Sequence, residues 1–316
     1  MSDRAEAGGV EADAVESVRR FNRHWTAVLG LLDQGILATE HTLTEARVLF
    51  ELAQQGPSSE RMALRERLGL DASFLTRVLA RMAEQGLVER SRSGADARRV
   101  EVRLTDRGRA AYEVLNARSI AQLQDLLAPL TAGQRAAMAE DMTVISHMVG
   151  PRIREPTVHL RGVRPGDLGW IVQRHGEVYH DEFGWDADFE ALVAGIVADY
   201  WSKRTPGREF AWVAEVDGAR AGCVLCVQRD ETTAQLRLLL VEPWARGLRI
   251  GARLVDECIS FARRAGYPRM VLWTNDVLVA ARRIYQAAGF VLVAEEPHHS
   301  FGHDLVGQTW ELDLNP

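Results

Sequence analysis

The sequence predicts two domains, a helix-rich winged helix-turn-helix domain followed by a mixed α/β domain. Three observations predict this architecture. The chain has 316 residues, whereas a single domain usually has roughly 100 to 200. Apolar residues recur at helical spacing in the first half, and apolar strands alternate with helices in the second. With 47% hydrophobic residues, the chain can bury two cores and is not mainly disordered.

Composition shifts along the chain predict the domain boundaries. We expect residues 1–13 to be disordered and residues 14–149 to form the first domain. The stretch GPRIREPT, from Gly150, mixes Pro, Gly and Arg without periodicity, so residues 150–156 are predicted to be a linker. Residues 157–316 then form the second domain.

The sequence also predicts a compartment. No stretch of about 18 apolar residues lacks a charge, and the N-terminus is acidic where a signal peptide is basic and then apolar. Three cysteines do not make a disulfide framework and fit a reducing environment. We therefore expect a cytoplasmic protein without a membrane partner.

Positive charge is concentrated in one segment of an acidic chain. The formal net charge is −6, but the segment from Arg61 to Arg109 holds 12 arginines against 7 acids. Such a stripe suits contact with DNA phosphates, because their neutralisation depends on nearby cations and not on total charge. An ordinary solvated helical face has the same composition, and charge alone does not separate the two.

Short helices and their caps predict the helix-turn-helix. Apolar residues between residues 14 and 39 indicate one or two helices, and Thr42 with Glu45 forms a capping-box pattern at the start of the next. Gly69 ends a short third helix, and Asp71 caps a fourth that Gly86 ends. The predicted inner face of this fourth helix contains Phe74, Leu75, Val78, Leu79 and Met82. In a helix-turn-helix, the second helix enters the major groove.

The segment after Gly86 predicts a β-hairpin wing. Val100, Val102 and Leu104 alternate, and the tip contains Gly94 and Asp96. Arginines at the tip suit a narrow groove of negative potential. They are Arg92, Arg98 and Arg99.

With a helix-turn-helix followed by a hairpin wing, the chain resembles the MarR family of winged-helix regulators over residues 43–109. The resemblance rests on LTRVLARMAEQGLVER, the D-x-R at Asp96 and Arg98, and VRLTDRG. It implies that Ser73, Thr76 and Arg77 face bases or adjacent phosphates and that Arg98 reaches the minor groove. It also implies a homodimer on double-stranded DNA with a palindromic operator. Helices over residues 110–149, with the N-terminal helix, would form the dimer interface; alternatively they pack on the second half of their own chain.

The second half contains an apolar strand that runs into a loop opening a long helix, in QLRLLLVEPWARGLRIGARL. Such a helix start presents unpaired backbone amides and predicts a phosphate ligand. The spacing of RGLRIG is not that of a Rossmann fingerprint, and the Lys and Ser/Thr of a P-loop are absent.

This half resembles the GNAT acetyltransferase family, over residues 157–314. The strand ends in L-x-V-x-P at Leu239, Val241 and Pro243, and a later stretch reads ARRIYQAAGF. The family's loop reads R/Q-x-x-G-x-G/A, and Arg249 lies at the position of its first glycine. Arg249 can still present its backbone amide if its φ is negative. The resemblance implies acetyl-CoA as the cofactor. The residues implied to bind it are Leu239, Leu240, Val241, Arg246, Gly247, Leu248, Arg249, Ile250, Gly251, Ala252 and Asn275.

The same resemblance implies that Tyr285 is the catalytic acid, protonating the departing thiolate with a pKa near the ordinary ~10, and that the Val241 amide stabilises the oxyanion. A buried core tyrosine is the other interpretation. The family's usual Asn before this Tyr is Leu278 here, and whether Asn275 compensates stays open. The strand offers Gln235 and Arg237 but no carboxylate as a base. Candidates for the base are Glu182, His298, His299 and His303.

We expect the substrate pocket to include Glu182, Trp185, His299 and His303. No metal site is expected, because Pro297 and Gly302 remove the helical spacing of the histidines. Cys223 and Cys226 lie three apart in a predicted strand, hence on opposite faces, and are expected in the core.

Three hypotheses follow. The first is a bifunctional chain, a DNA-binding dimer fused to an N-acetyltransferase for a small amine. The second is a regulator whose second domain only senses acetyl-CoA or an amine. The third is an enzyme whose winged helix serves dimerisation alone.

Overall fold

The computed structural model describes residues 2–31, 36–55, 59–92, 100–150 and 156–315. Contacts divide the chain into two compact units, Met1–Thr131 and Ala132–Pro316. The first unit contains α1 (Ser2–Val28), a 3-10 turn (Ile36–Ala38), α2 (Leu43–Gln54), β1 (Ser59–Glu60), α3 (Arg61–Leu68), α4 (Ala72–Glu84), β2 (Val88–Arg92), β3 (Val100–Leu104) and α5 (Asp106–Leu127).

The first unit has the predicted helix-turn-helix and hairpin. The Thr42 hydroxyl accepts from the Glu45 amide at 3.3 Å and a Glu45 carboxylate oxygen accepts from the Thr42 amide at 2.8 Å, which confirms the capping box. Asp71 caps α4 by accepting from the Ser73 and Phe74 amides at 2.9 and 3.1 Å. β3 lies between β1 and β2 in a three-stranded sheet. The hairpin tip, including Arg98 and Arg99, lies outside the described residues, as does the Arg92 side chain.

Phe74 differs from its predicted position on the inner face of α4. Leu75, Val78, Leu79 and Met82 are buried, whereas Phe74 is 39% exposed. The four buried residues already fill the stripe that α4 turns toward the core, and Phe74 lies at its margin near the N-terminus.

Helix α1 begins at Ser2, whereas the sequence predicted disorder for residues 1–13. Neither α1 nor any other helix in the described part of the chain is both long and apolar enough to cross a bilayer.

The second unit is a mixed sheet with helices on both faces. It contains α6 (Ala132–Val149), β4 (Val158–Gly162), α7 (Asp167–Phe183), α8 (Ala187–Lys203), β5 (Phe210–Val216), β6 (Ala219–Gln228), β7 (Thr233–Val241), a 3-10 turn (Pro243–Ala245), α9 (Ile250–Arg264), β8 (Arg269–Asn275), α10 (Val279–Ala287), β9 (Val291–Ser300) and β10 (His303–Asp313). The sheet order is β4-β5-β6-β7-β8-β10-β9, and only β7 and β8 pair in parallel.

Each face of this sheet carries a separate apolar core. One core contains α9 residues such as Leu254 with Cys226, and the other contains α7 and α8 residues such as Ile171 with Cys223. The two cysteines are therefore buried on opposite faces of β6, as their spacing predicted.

Helix α6 belongs to the second unit, whereas the sequence predicted that it is part of the first domain. Arg220 donates from Nε and Nη2 to the two carboxylate oxygens of Glu140 at 2.7 and 2.9 Å. His147 lies 3.3 Å from Asp217 and packs on the Trp244 ring at 5.1 Å. These contacts hold α6 to the β6 side of the second unit, which is the alternative that the sequence left open for this helix.

Candidate functional site

The site begins where two parallel strands separate. β7 pairs with β8 from Thr233 to Leu236, and the pairing ends there. Leu238 has a left-handed φ of 53°, and the pairing of β7 with β6 shifts register nearby. Such a bulge bends a strand, so the second half of β7 leaves β8 and opens a gap in the middle of the sheet.

The backbone amide of Val241 is available at this gap. The next amide, that of Glu242, donates to the Ala221 carbonyl of β6 at 2.8 Å. Because successive amides in an extended strand point to opposite edges, the Val241 amide points away from β6, toward the gap.

A helix starts directly beside this gap. Gly247 has a φ of 84°, which favours glycine, and Arg249 is the N-cap of α9 without a side-chain cap. No described group accepts a hydrogen bond from the amides of Ile250, Gly251 and Ala252. These free amides and the positive end of the helix dipole form a site suited to a phosphate. Gly251 packs closely, since a Cβ there would lie 2.7 Å from Ile284 Cδ1.

Arg249 corrects one expectation from the sequence, that of a negative φ. Its φ is 59°, in the left-handed region. This conformation costs a non-glycine residue about 1 to 2 kcal/mol, and it is the conformation that a glycine at this position adopts readily. The arginine therefore keeps the loop geometry at a cost in stability.

Arg249→Gly should accordingly raise the free energy of unfolding by about 1 kcal/mol, because it removes the left-handed strain. Urea unfolding followed by tryptophan fluorescence measures this, since all tryptophans except Trp25 lie in the second unit. Arg253→Gly, inside α9, is the control and should lower the same quantity by about 1 kcal/mol. A loss of stability in Arg249→Gly would mean that the arginine side chain holds the loop.

A cavity of about 590 Å³ lies at this helix start. Most of the residues predicted to bind the cofactor line it: Leu239, Leu240, Val241, Arg246, Gly247, Arg249, Ile250, Gly251 and Ala252. Leu248 instead packs against the apolar core, and Asn275 lines a neighbouring cavity.

Glu182 lies in the first cavity, which we call the helix-start cavity, and not in a separate substrate pocket. Its carboxylate is 2.6 Å from Arg246 Nη2. A carboxylate paired with an arginine beside the phosphate-type site is poorly placed to serve as the base that the sequence suggested.

A second cavity of about 390 Å³, which we call the acceptor cavity, lies in the gap between β7 and β8. It meets the helix-start cavity at four residues that line both, Tyr179, Leu239, Leu278 and Ala281. Two elongated ligands, one in each cavity, would therefore meet at this shared wall.

Tyr285 lines the acceptor cavity and is 5% exposed. Among the described residues, none is hydrogen-bonded to its hydroxyl. Burial raises the pKa of Tyr285 well above its ordinary value of 10.0, with smaller contributions from Tyr179 and Cys258. This corrects the expectation of an ordinary pKa and means that the hydroxyl stays protonated at neutral pH.

The predicted histidines lie on the β9–β10 hairpin and line neither cavity. His298 Nε2 and the Asn275 side-chain oxygen are 2.9 Å apart, and His298 Nδ1 is 2.9 Å from the Ser300 hydroxyl. His299 is exposed and lies 2.7 Å from Asp304. His303 Nε2 donates to the Gly184 carbonyl at 3.1 Å. The histidines therefore order the hairpin, whereas Trp185 lines the cavity between β7 and β8.

His175 is a cavity residue that sequence reasoning missed. Its Nδ1 donates to the Ile171 carbonyl at 2.8 Å, and its buried Nε2 has no partner among the described residues. Burial lowers the pKa of His175 to about 4, so the ring is neutral at neutral pH. His175 and Tyr179 are one helical turn apart on the apolar face of α7, and that spacing was the available signal.

We expect acid to destabilise the second unit through His175. The unfolded chain takes up the proton near pH 6.5 and the folded chain only near pH 4, so stability is greatest above pH 6.5 and falls as the pH drops. Between pH 7 and pH 5 the loss is about 2 kcal/mol. Urea unfolding at both pH values measures it, and His175→Gln should lose most of the difference. An equal drop in His175→Gln would assign the effect to other groups.

The first unit presents a separate polar face on α4. Ser73, Thr76 and Arg77 are all exposed there, and Arg77 lies over the Phe74 ring at 5.9 Å. Arg61 donates to the Thr76 hydroxyl at 3.5 Å, which adds a second cation to this face.

Several arginines of the basic stripe have structural partners. Arg81 lies 2.9 Å from the buried Glu45, and Arg103 lies 2.5 Å from Glu89 across the hairpin. Part of the stripe is therefore an ordinary solvated face whose arginines pair with neighbouring acids. Arg77, by contrast, has no ion pair among the described residues.

Comparisons with known proteins find two families in one chain. The model of the acetyltransferase (GNAT) family matches residues 172–290, and that of the MarR family matches residues 41–100. An uncharacterized N-acetyltransferase of Schizosaccharomyces pombe is 35% identical over 126 residues, which cover 39% of this chain and 74% of that protein.

Two further matches cover different shares of the proteins compared. The N-acetylaspartate synthetase of Danio rerio is 36% identical over 35% of this chain and 38% of its own. A putative acetyltransferase from Salmonella typhimurium, solved with its cofactor acetyl-CoA, is 21% identical with a TM-score of 0.44, over 50% of this chain and 94% of that one.

Proposed function

The chain belongs to the GNAT acetyltransferase family and also contains a MarR-family domain, and we propose that it is bifunctional. Its second unit transfers the acetyl group of acetyl-CoA to a small amine, and its first unit binds double-stranded DNA as a regulator. The observation that carries the transferase half is the pair of joined cavities, with free amides of α9 in one and Tyr285 in the other.

The helix-start cavity suits the phosphate-bearing part of acetyl-CoA. The amides of Ile250, Gly251 and Ala252 would donate to pyrophosphate oxygens, and the exposed Arg249 adds positive charge. Arg246 would exchange its contact with Glu182 for one with the phosphates. The thioester would then lie along the second half of β7, where Leu239 and Val241 line the cavity.

Direct transfer follows from this placement. A neutral amine in the acceptor cavity attacks the thioester carbonyl carbon, and the C–S bond breaks as the C–N bond forms. The Val241 amide would donate to the carbonyl oxygen as it gains negative charge. The Tyr285 hydroxyl would donate its proton to the departing thiolate. The attacking amine would release one proton to solvent, and the Tyr285 oxygen would take one back from solvent, so that the protons balance.

Thiol release tests this half of the proposal. Purified protein, acetyl-CoA and a panel of small amines should release CoA thiol in proportion to the acetylated amine that mass spectrometry detects. Binding of acetyl-CoA without thiol release for any amine would instead support a domain that only senses the ligand.

For the DNA half, we propose a homodimer on a palindromic operator. Exposed apolar side chains on α1 and α5 support self-association, among them Val18 at 59% and Ile120 at 48% exposure. Ser73, Thr76 and Arg77 of α4 would contact the major groove, and Arg92, Arg98 and Arg99 the adjacent backbone and minor groove.

Arg98→Ala and Arg77→Ala should each weaken binding to a palindromic duplex selected from random sequence, by about tenfold. Each removes a cation near phosphates, so the slope of log affinity against log salt should decrease by about 0.9 for each phosphate that is no longer neutralised. Fluorescence anisotropy at several salt concentrations measures both quantities. Arg47→Ala is the control, because Arg47 is paired with Glu51 at 2.9 Å on α2. Unchanged affinity in both variants would contradict the DNA-binding proposal.

A further inference from the structure

The charged side chains that line the acceptor cavity are all positive. The charged side chains that line it are Arg229 and Arg237, and its lining, all within the described part of the chain, includes no carboxylate. A cavity with two cations and no acid repels a purely cationic ligand and favours one that brings negative charge.

Arg237 has no counter-ion in the part of the chain that the structure describes. It lies on β7 beside the bulge at Leu238 and is only partly exposed. Among the described residues none forms a hydrogen bond or ion pair with its guanidinium. The acid that influences it, Asp199, is 2.8 Å from Lys203, and burial lowers the pKa of Arg237. A guanidinium group nevertheless keeps its charge in proteins at neutral pH.

An unpaired, partly buried guanidinium is costly to keep. Ions removed from water lose hydration, and a fixed partner is needed to recover that loss. The five donors of a guanidinium match the two oxygens of a carboxylate in a planar, bidentate arrangement. The N–H groups of Arg237, for which no described residue is an acceptor, are therefore complementary to a carboxylate that enters the cavity.

The rest of the lining fits a small organic acid with a hydrocarbon part. Trp185, Phe189 and Trp273 supply apolar walls. The Asn275 side-chain oxygen is engaged with His298, so its amide nitrogen, for which no described group is an acceptor, can donate to the ligand.

We propose that the acceptor is an amine that also carries a carboxylate, and that Arg237 binds this carboxylate with Arg229 adding attraction at the exposed rim. The proposal rests on the proposed acetyl transfer and names its substrate class. Held by the carboxylate beside Leu238, the ligand would extend its amino group along β7 toward the wall that the two cavities share.

Matched pairs of amines test the substrate class in the full-length protein. The members of each pair differ by the only carboxylate of the acid: phenylalanine with 2-phenylethylamine, and β-alanine with ethylamine. We expect at least one pair in which the acid has a kcat/KM higher by about 100-fold, as for a site built around one buried polar contact. Calorimetric binding of the same compounds is measured in parallel.

Two variants separate binding by Arg237 from general damage. Arg237→Gln should lose about 100-fold in kcat/KM for the preferred acid and no more than a few fold for its decarboxylated partner. It should also raise the Tm of the ligand-free protein, because an unpaired charge is removed. Arg204→Gln is the matched control, since Arg204 stacks on Trp201 at 3.7 Å and lines neither cavity.

The outcomes separate this inference from the proposed function. Thiol release without a preference for acids, or an equal loss for both members of a pair in Arg237→Gln, would overturn the inference and leave acetyl transfer standing. If no amine gives thiol release, the transferase proposal fails. Calorimetry then tests the carboxylate site without catalysis. The inference requires that acids bind to the wild type and bind more weakly to Arg237→Gln, and equal binding to both proteins would overturn it.

Discussion

Tyr285→Phe should lower kcat for thiol release by a factor of about 10² to 10⁴, the usual contribution of a positioned acid. The substitution removes the hydroxyl and keeps the ring, which packs against Phe290 at 6.0 Å, so the fold and the affinity for acetyl-CoA should change little. Stopped-flow detection of CoA thiol with the best amine of the panel measures the rate. Because burial raises the pKa of Tyr285, its ionisation should produce no loss of activity on the basic side below pH 10.

Two other tyrosines serve as comparisons. Tyr267 is buried outside both cavities and donates to the Arg208 carbonyl at 3.1 Å, so Tyr267→Phe should reduce stability without changing kcat. Tyr179 lines both cavities. An unchanged rate in Tyr285→Phe together with a large loss in Tyr179→Phe would transfer the role of acid to Tyr179.

Ala252→Glu should weaken acetyl-CoA binding by on the order of 100-fold. Ala252 lies in the first turn of α9 and lines the helix-start cavity, so a carboxylate there repels the pyrophosphate at a cost of about 3 kcal/mol. The same carboxylate interacts favourably with the positive end of the helix dipole, so the Tm of the ligand-free protein should not fall. Isothermal titration calorimetry measures the affinity.

Ala252→Gln separates charge from size, since it has the same length without the charge. It should lose much less affinity than Ala252→Glu. Equal losses in the two variants would assign the effect to steric blocking, and wild-type affinity in Ala252→Glu would place the pyrophosphate somewhere other than the start of α9.

Local signals in the sequence were sufficient for the elements and for most of the helix-start cavity. Thr42, Glu45 and Asp71 cap the helices that they were predicted to cap, because a cap depends on neighbours within one turn. The loop from Arg246 to Ala252 lies at a helix start for the same reason. The family models that match residues 41–100 and 172–290 confirm the two resemblances drawn from these motifs.

Spacing in the sequence could not place side chains whose partners are distant along the chain. Glu182 pairs with Arg246, which is remote in sequence, and lines the helix-start cavity. The histidines of the hairpin looked like pocket residues, yet His298 and His303 bind Asn275 and Gly184. Spacing along the chain contains no information about such pairs.

The two families, the order of helices and strands and the position of the loop that opens α9 follow from local sequence, because these features depend on residues a few positions apart. Three further features appear only in the folded chain: α6 packs in the second unit, Arg249 adopts a left-handed φ, and Arg237 lines a cavity with no counter-ion among the described residues. Each of these depends on which distant groups meet when β7 and β8 diverge and helices cover the sheet, and the hydration and charge of a side chain are fixed only by those neighbours.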